Sequence, residues 1–136
     1  IGENLAQGTR LSKQGFQVSG ASYGSEIIDN IYGAMNDYNY GMVSSNGVMT
    51  ITFPEQKKIK SIRFDMRNDL RSVDISTRNG TVGAFTTQGT ARVSTPGKWF
   101  VIIFSEAVDA SQIQFSKFIT TTGGSASIHE MDFYTE

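Results

Sequence analysis

From Val48 to Phe53 the chain reads VMTITF, and from Ile59 to Met66 it reads IKSIRFDM. Met49, Ile51 and Phe53 fall on one side, and Ile62, Phe64 and Met66 repeat the pattern against Arg63 and Asp65. A period of two with one apolar side is the mark of a half-buried strand in an antiparallel sheet. SVDISTR (72–78) and SQIQFSKF (111–118) alternate in the same way, through Val73, Ile75 and Thr77 and through Ile113 and Phe115. VGAFTT and TARVS predict two more short strands, and SIHEMDFY (127–134) a closing one. KWFVIIF (98–104) is apolar on both faces, which predicts a central, fully covered strand with Trp99 and Phe104 in the core. Asn79-Gly80 predicts a tight hairpin, because both residues tolerate positive φ.

Roughly eight short strands in one chain predict an all-β fold, an antiparallel β-sandwich or barrel, with function in the end loops. Composition agrees: 14 Gly, 2 Pro and little Ala or Leu leave few helix formers. The 136 residues suit one domain, 1–136, with no linker or repeat. There is no cysteine, which excludes disulfides, thiol catalysis and cysteine zinc sites. A net charge of −1 gives no electrostatic case for nucleic acid or an anionic membrane. No apolar run approaches the ~20 residues of a membrane span, so no membrane insertion is expected.

One segment fits neither strand nor helix. DNIYGAMNDYNYG, Asp29 to Gly41, gathers two Asp, three Asn and three Tyr. Asp29, Asn36, Asp37 and Asn39, with distant Glu130, offer hard oxygen ligands of the kind Ca²⁺ takes in irregular loops. The same residues equally suit hydrogen-bonded Asx turns with no metal. Tyr32, Tyr38 and Tyr40 offer a platform for the C–H face of a pyranose; alternatively one or two of these rings plug the end of the core. Regular alternation puts His129 on the inner face with Met131 and Phe133, a buried structural histidine rather than a catalyst. Glu130 then faces the other way, and a bulge near Ser127–Ile128 would aim it at the first loop. No nucleophile-elbow pattern accompanies His129, and TTTGG lacks the lysine of a phosphate loop. An enzyme is therefore not expected.

Four stretches, in order, resemble the discoidin-like, or coagulation factor 5/8 type C, family of galactose-binding-like jelly rolls, which includes many carbohydrate-binding modules. They are ENLAQGT, EIIDNIYGAMNDYNYG, KKIKSIRFDMRNDLRSVDISTRNG and SASIHEMDFYT. The opening also resembles modules of phage tail and fibre proteins. Asn30 stands where the family has Gly, the first loop lacks the family's Trp, and 120–126 lacks an aromatic. The resemblance implies a jelly-roll sandwich with Asp29 and Glu130 as side-chain ligands of a structural Ca²⁺. It implies that Arg67, with Asn68, Asp69 and Arg71 as neighbours, holds sugar hydroxyls. The expected function is a non-catalytic carbohydrate-binding module for cell-surface glycans or polysaccharides. Such a module would be extracellular and part of a larger multidomain or multimeric assembly. The alternative is a structural or adhesion module of a virion or cell surface that makes protein contacts.

Overall fold

The structure, a computed structural model, describes residues 8–34 and 37–136. Its strands are β1 (Thr9–Arg10), β2 (Gln17–Ser19), β3 (Gly41–Val43), β4 (Val48–Met66), β5 (Leu70–Arg78), β6 (Thr86–Arg92), β7 (Trp99–Thr120) and β8 (Ala126–Thr135). Among the described residues no α-helix forms, and a 3-10 helix spans Gly24–Ile28. The strands run β1-β8-β4-β7-β5-β6, with β2 also on β4 and β3 also on β8. All pairings are antiparallel.

Two strands are far longer than their sequence patterns suggested. VMTITF and IKSIRFDM are the two halves of β4, and KWFVIIF and SQIQFSKF are the two halves of β7. Each bends from one layer to the other. The first half of β4 pairs β2 and the second half of β7; its second half pairs β8 and the first half of β7. Pairing of β4 with β7 breaks between Thr52 and Lys57, where Pro54 has no N–H to give a ladder. Phe64, from one layer, meets Phe115, from the other, edge to face at 5.5 Å, and both are fully buried. Phe16, Phe53 and Phe133 form a second ring cluster. This is the sandwich expected from the sequence.

Three local expectations change. Asn79-Gly80 does not make a two-residue hairpin. Gly80 alone of the pair has positive φ, and the chain runs on to Thr86 before β6 begins. VGAFTT therefore enters β6 only at its last two residues. The strand at 99–104 is not covered on both faces: Phe100, Ile102 and Phe104 are buried, whereas Ile103 is 43% exposed. Trp99 belongs to that outer face and is half-buried rather than in the core. Its ring lies under the Arg63 guanidinium (4.4 Å) and the Lys98 ammonium (3.9 Å). The reason is parity: the residue before Phe100 must point away from the face Phe100 fills.

Candidate functional site

The polar residues of IKSIRFDM and SIHEMDFY are buried too. Arg63, Asp65, Glu130 and Asp132 lie on the face opposite the core and are covered by the segment around Lys13 and by the first loop. Asp132 accepts from Lys13 (2.7 Å), Arg63 (2.6 Å) and the Tyr32 hydroxyl (2.6 Å). Lys13 also bonds Glu130, and Lys98 bonds Asp65. Burial would raise the Asp132 carboxyl, but Lys13, Tyr32 and Arg63 outweigh it and hold the group below its ordinary value. Glu130 behaves in the opposite way. Burial pushes it up to about 8, despite Lys13 and the Asn30 backbone N–H, and the neighbouring Asp29 carboxyl adds to the rise. The Tyr32 phenol is pushed up as well, by burial and then by Asp132.

The Asp and Asn residues of the first loop shape its backbone. Asp29 Oδ1 accepts from Ile31 N at 3.0 Å, an Asx turn, and Asp37 Oδ2 accepts from Ala34 N at 2.8 Å. Asn30 has φ 63°, a left-handed position that Asn tolerates. The loop is then pinned to the sheet. Gly33 N donates to Asp65, and His129 Nδ1 donates to the Asn39 carbonyl at 2.8 Å. A side chain at Gly33 would fall 2.8 Å from the His129 ring, so the residue must be Gly. His129 is fully buried, as expected, but not on the inner face. Glu130 pairs Asp65 and Ile128 pairs Met66, which makes His129 the extra residue of a bulge. The bulge lies one residue beyond the expected position, and it turns the imidazole toward the loop.

At the end where β4 finishes and β8 starts, Arg67 gathers the loops. Its backbone N–H donates to Ser127 O, and its Nε donates to Asp37 O at 2.9 Å. Its guanidinium lies over Tyr40 (4.7 Å) and Tyr38 (5.5 Å). Asn68 clamps the neighbouring loop, donating to Ser125 O and accepting from Ser127 N. Arg67, Asn68, Asp69, Thr121 and Thr122 line a cleft of about 230 Å³. Tyr38 is 86% exposed, a ring with one side toward Arg67 and most of its surface in solvent. A larger cleft, of about 440 Å³ beside Phe16, Val18, Ile28 and Thr52, has no charged residue in its wall among the described residues.

The structure thus brings together Tyr38, Tyr40, Arg67, Asn68 and Asp69. It separates two residues from them. Tyr32 stands over the buried charges, bonded to Asp132 and 6.5 Å from Trp99. Arg71 is exposed on β5 and does not line the Arg67 cleft. Of the expected calcium ligands, Asp29 and Glu130 meet. Glu130 Oε2, however, already holds Lys13, while Asp37 is turned to Ala34 and Asn36 lies outside the described residues. Among the described residues no three His, Asp or Glu side chains come together to hold a metal ion. As placed, the set does not fit a calcium centre.

No protein-family model and no curated protein sequence matches the chain. Solved structures do. The family 32 carbohydrate-binding module of Clostridium perfringens NanJ, in complex with galactose, is 18% identical, with a TM-score of 0.72 over 92% of this chain and 97% of that one. An F5/8 type C domain from Bacteroides fragilis is 11% identical, with a TM-score of 0.72 over 94% of this chain and 96% of that one. The chain has the fold of these modules. A Ruminococcus gnavus GH29 fucosidase contains the same fold at 19% identity and a TM-score of 0.69; 94% of this chain matches, spanning 27% of the fucosidase. At these identities the likeness establishes the F5/8 type C fold, and the residues above must carry any statement about binding.

Within that fold, sequence reasoning missed Lys13, Asp65 and Asp132 as parts of the buried charge layer. It also missed Tyr23, Glu26 and Met42, which line a cleft of about 220 Å³ with Tyr38 and Tyr40. A faint signal existed for Tyr23, a lone ring among small residues in GASYGSE.

Proposed function

We propose that this domain is a non-catalytic glycan-binding module whose site is the Arg67 end of the sandwich. The observation that carries it is an exposed tyrosine, Tyr38, beside an arginine whose position is fixed by backbone hydrogen bonds. A pyranose needs that pair: a ring for its C–H face and charged or amide donors for its hydroxyls. The galactose carried by the NanJ module, which has the same fold, supports a galactose-type sugar as the first candidate. Catalysis has no support at this site: glycoside hydrolysis needs paired carboxylates flanking a bond, and among the described residues Asp69 is the sole acid lining the Arg67 cleft.

The reading extends to setting. A module that matches 27% of a fucosidase chain supports a role as one part of a longer protein that meets glycans outside the cell. No helix among the described residues is long and apolar enough to cross a membrane. The test is a glycan array followed by titration of each hit against wild type and Arg67→Ala. Binding that is on the order of micromolar to millimolar and is lost in the variant supports the reading. An array without hits, or a variant that binds like wild type, refutes it.

A further inference from the structure

We infer that the cleft lined by Tyr23, Glu26, Tyr38, Tyr40 and Met42 is a second sugar subsite. It would take a neutral or amino-bearing pyranose next to the one held at Arg67; the inference rests on the glycan-binding reading above. The two clefts share no lining residue, and Arg67 joins them. Arg67 lines the first, and its guanidinium lies over Tyr38 and Tyr40, which line the second. A ligand long enough to leave the Arg67 cleft toward these rings therefore enters the tyrosine cleft.

Three observations point to a ligand there. Tyr23 is 76% exposed and Tyr38 86% exposed, so two aromatic rings are held in water at one cleft. Folding gains little from rings in that state. Tyr23 also has a left-handed backbone, φ 55° and ψ 42°, at the N-terminus of the 3-10 helix. For a bulky residue this conformation is unfavourable, and neither burial nor a side-chain cap offsets it. A glycine there would serve the backbone better, so the ring is the reason for the residue. Third, the cleft walls are held in place. Ser22 and Met42 exchange two backbone hydrogen bonds of 2.9 Å, which fixes Tyr23 beside Met42.

Charge decides the class of sugar. Among the described residues, Glu26 is the one charged residue in the cleft wall, and Asp29 stands against it. The hydrogen bond with Asp29 raises the Glu26 carboxyl, as two acids close together require. A uronate or sialate carboxylate on the Glu26 side would meet these acids, while Arg67, stacked on Tyr38 and Tyr40, does not line this cleft. A hydroxyl or an ammonium group would be accepted, the latter also by the tyrosine faces.

The experiment is a titration series of galactose, lactose and lacto-N-neotetraose on wild type and on Tyr23→Gly. Glycine accepts φ 55° without strain, so this variant removes the ring and keeps the backbone. In wild type the longer sugars should bind about tenfold tighter than galactose. Tyr23→Gly should erase that gain and leave galactose affinity unchanged. A galacturonate-extended galactoside should show no gain in wild type. Equal affinity for galactose and its longer forms, a gain that survives in Tyr23→Gly, or an equal gain with galacturonate would overturn the subsite while leaving the Arg67 reading intact. Failure of every sugar to bind would overturn both.

Discussion

Glu130→Gln should remove a pH dependence from the stability of this domain. Glu130 is fully buried, and its carboxyl titrates near 8 in the folded chain against 4.5 as an ordinary side chain. Burial is the main cause, and it outweighs the attraction of Lys13. Between those two values the folded state holds a proton that the unfolded state has released. Stability therefore falls as pH rises through this window, by ~1.4 kcal/mol per pH unit. The full contribution is present below pH 4.5 and gone above about 8, a loss on the order of 3–5 kcal/mol. Glutamine keeps the shape and cannot ionise, and Lys13 retains Asp132 as its partner. Urea unfolding at pH 5, 6, 7 and 8, in EDTA so that no stray cation sets the titration, measures both proteins. The difference between variant and wild type should grow in favour of the variant as pH rises. A constant difference, or a wild type more stable at pH 8 than at pH 5 by comparison with the variant, would show that Lys13 and not burial controls Glu130.

Tyr38→Ala should weaken binding of any array hit about tenfold or more with no change in Tm, because the ring is exposed and little packs on it; a variant that binds normally removes Tyr38 from the site. Phe64→Ala should cost about 3–5 kcal/mol in denaturant unfolding, since the ring is wholly buried between Phe100 and Phe115; a loss under ~1 kcal/mol would mean that the two layers do not meet there. EDTA should leave Tm unchanged in protein first loaded with Ca²⁺, because Lys13 already occupies Glu130; a drop in Tm would restore Asp29 and Glu130 as ligands.

The sandwich was legible because period-two alternation reports which face is buried, and Met49, Ile51, Phe53, Ile62, Phe64 and Met66 all lie in the core. What alternation does not report is where a strand ends. A bend at Pro54 leaves the pattern of either half intact, so one strand reads as two. Nor does it report whether the polar face is wet. Arg63, Asp65, Glu130 and Asp132 have the sequence pattern of solvated residues, and only the fold reveals the covering segment with Lys13. That Arg67 would lie beside tyrosines of the first loop was legible through the MRND stretch and the tyrosines. The division of labour among the three rings was not, because Tyr32, Tyr38 and Tyr40 differ by what lies above them in space. His129 shows the same limit at finer scale, since one extra residue in β8 reverses the face that alternation assigns.

β4 and β7 each thread both layers, and this bears on how the domain comes apart. In a sandwich whose sheets share no strand, one sheet can fray while the other holds. Here the backbone of each long strand ties the two sheets together across the bend. Opening either layer must loosen the other, so amides from Ile51 and from Phe64 should exchange with solvent through the same rare event. That event needs pairings between distant parts of the chain to form again, which makes refolding slow relative to its stability. A glycan seated at the end where these strands converge would then protect the whole domain and not just its own loop.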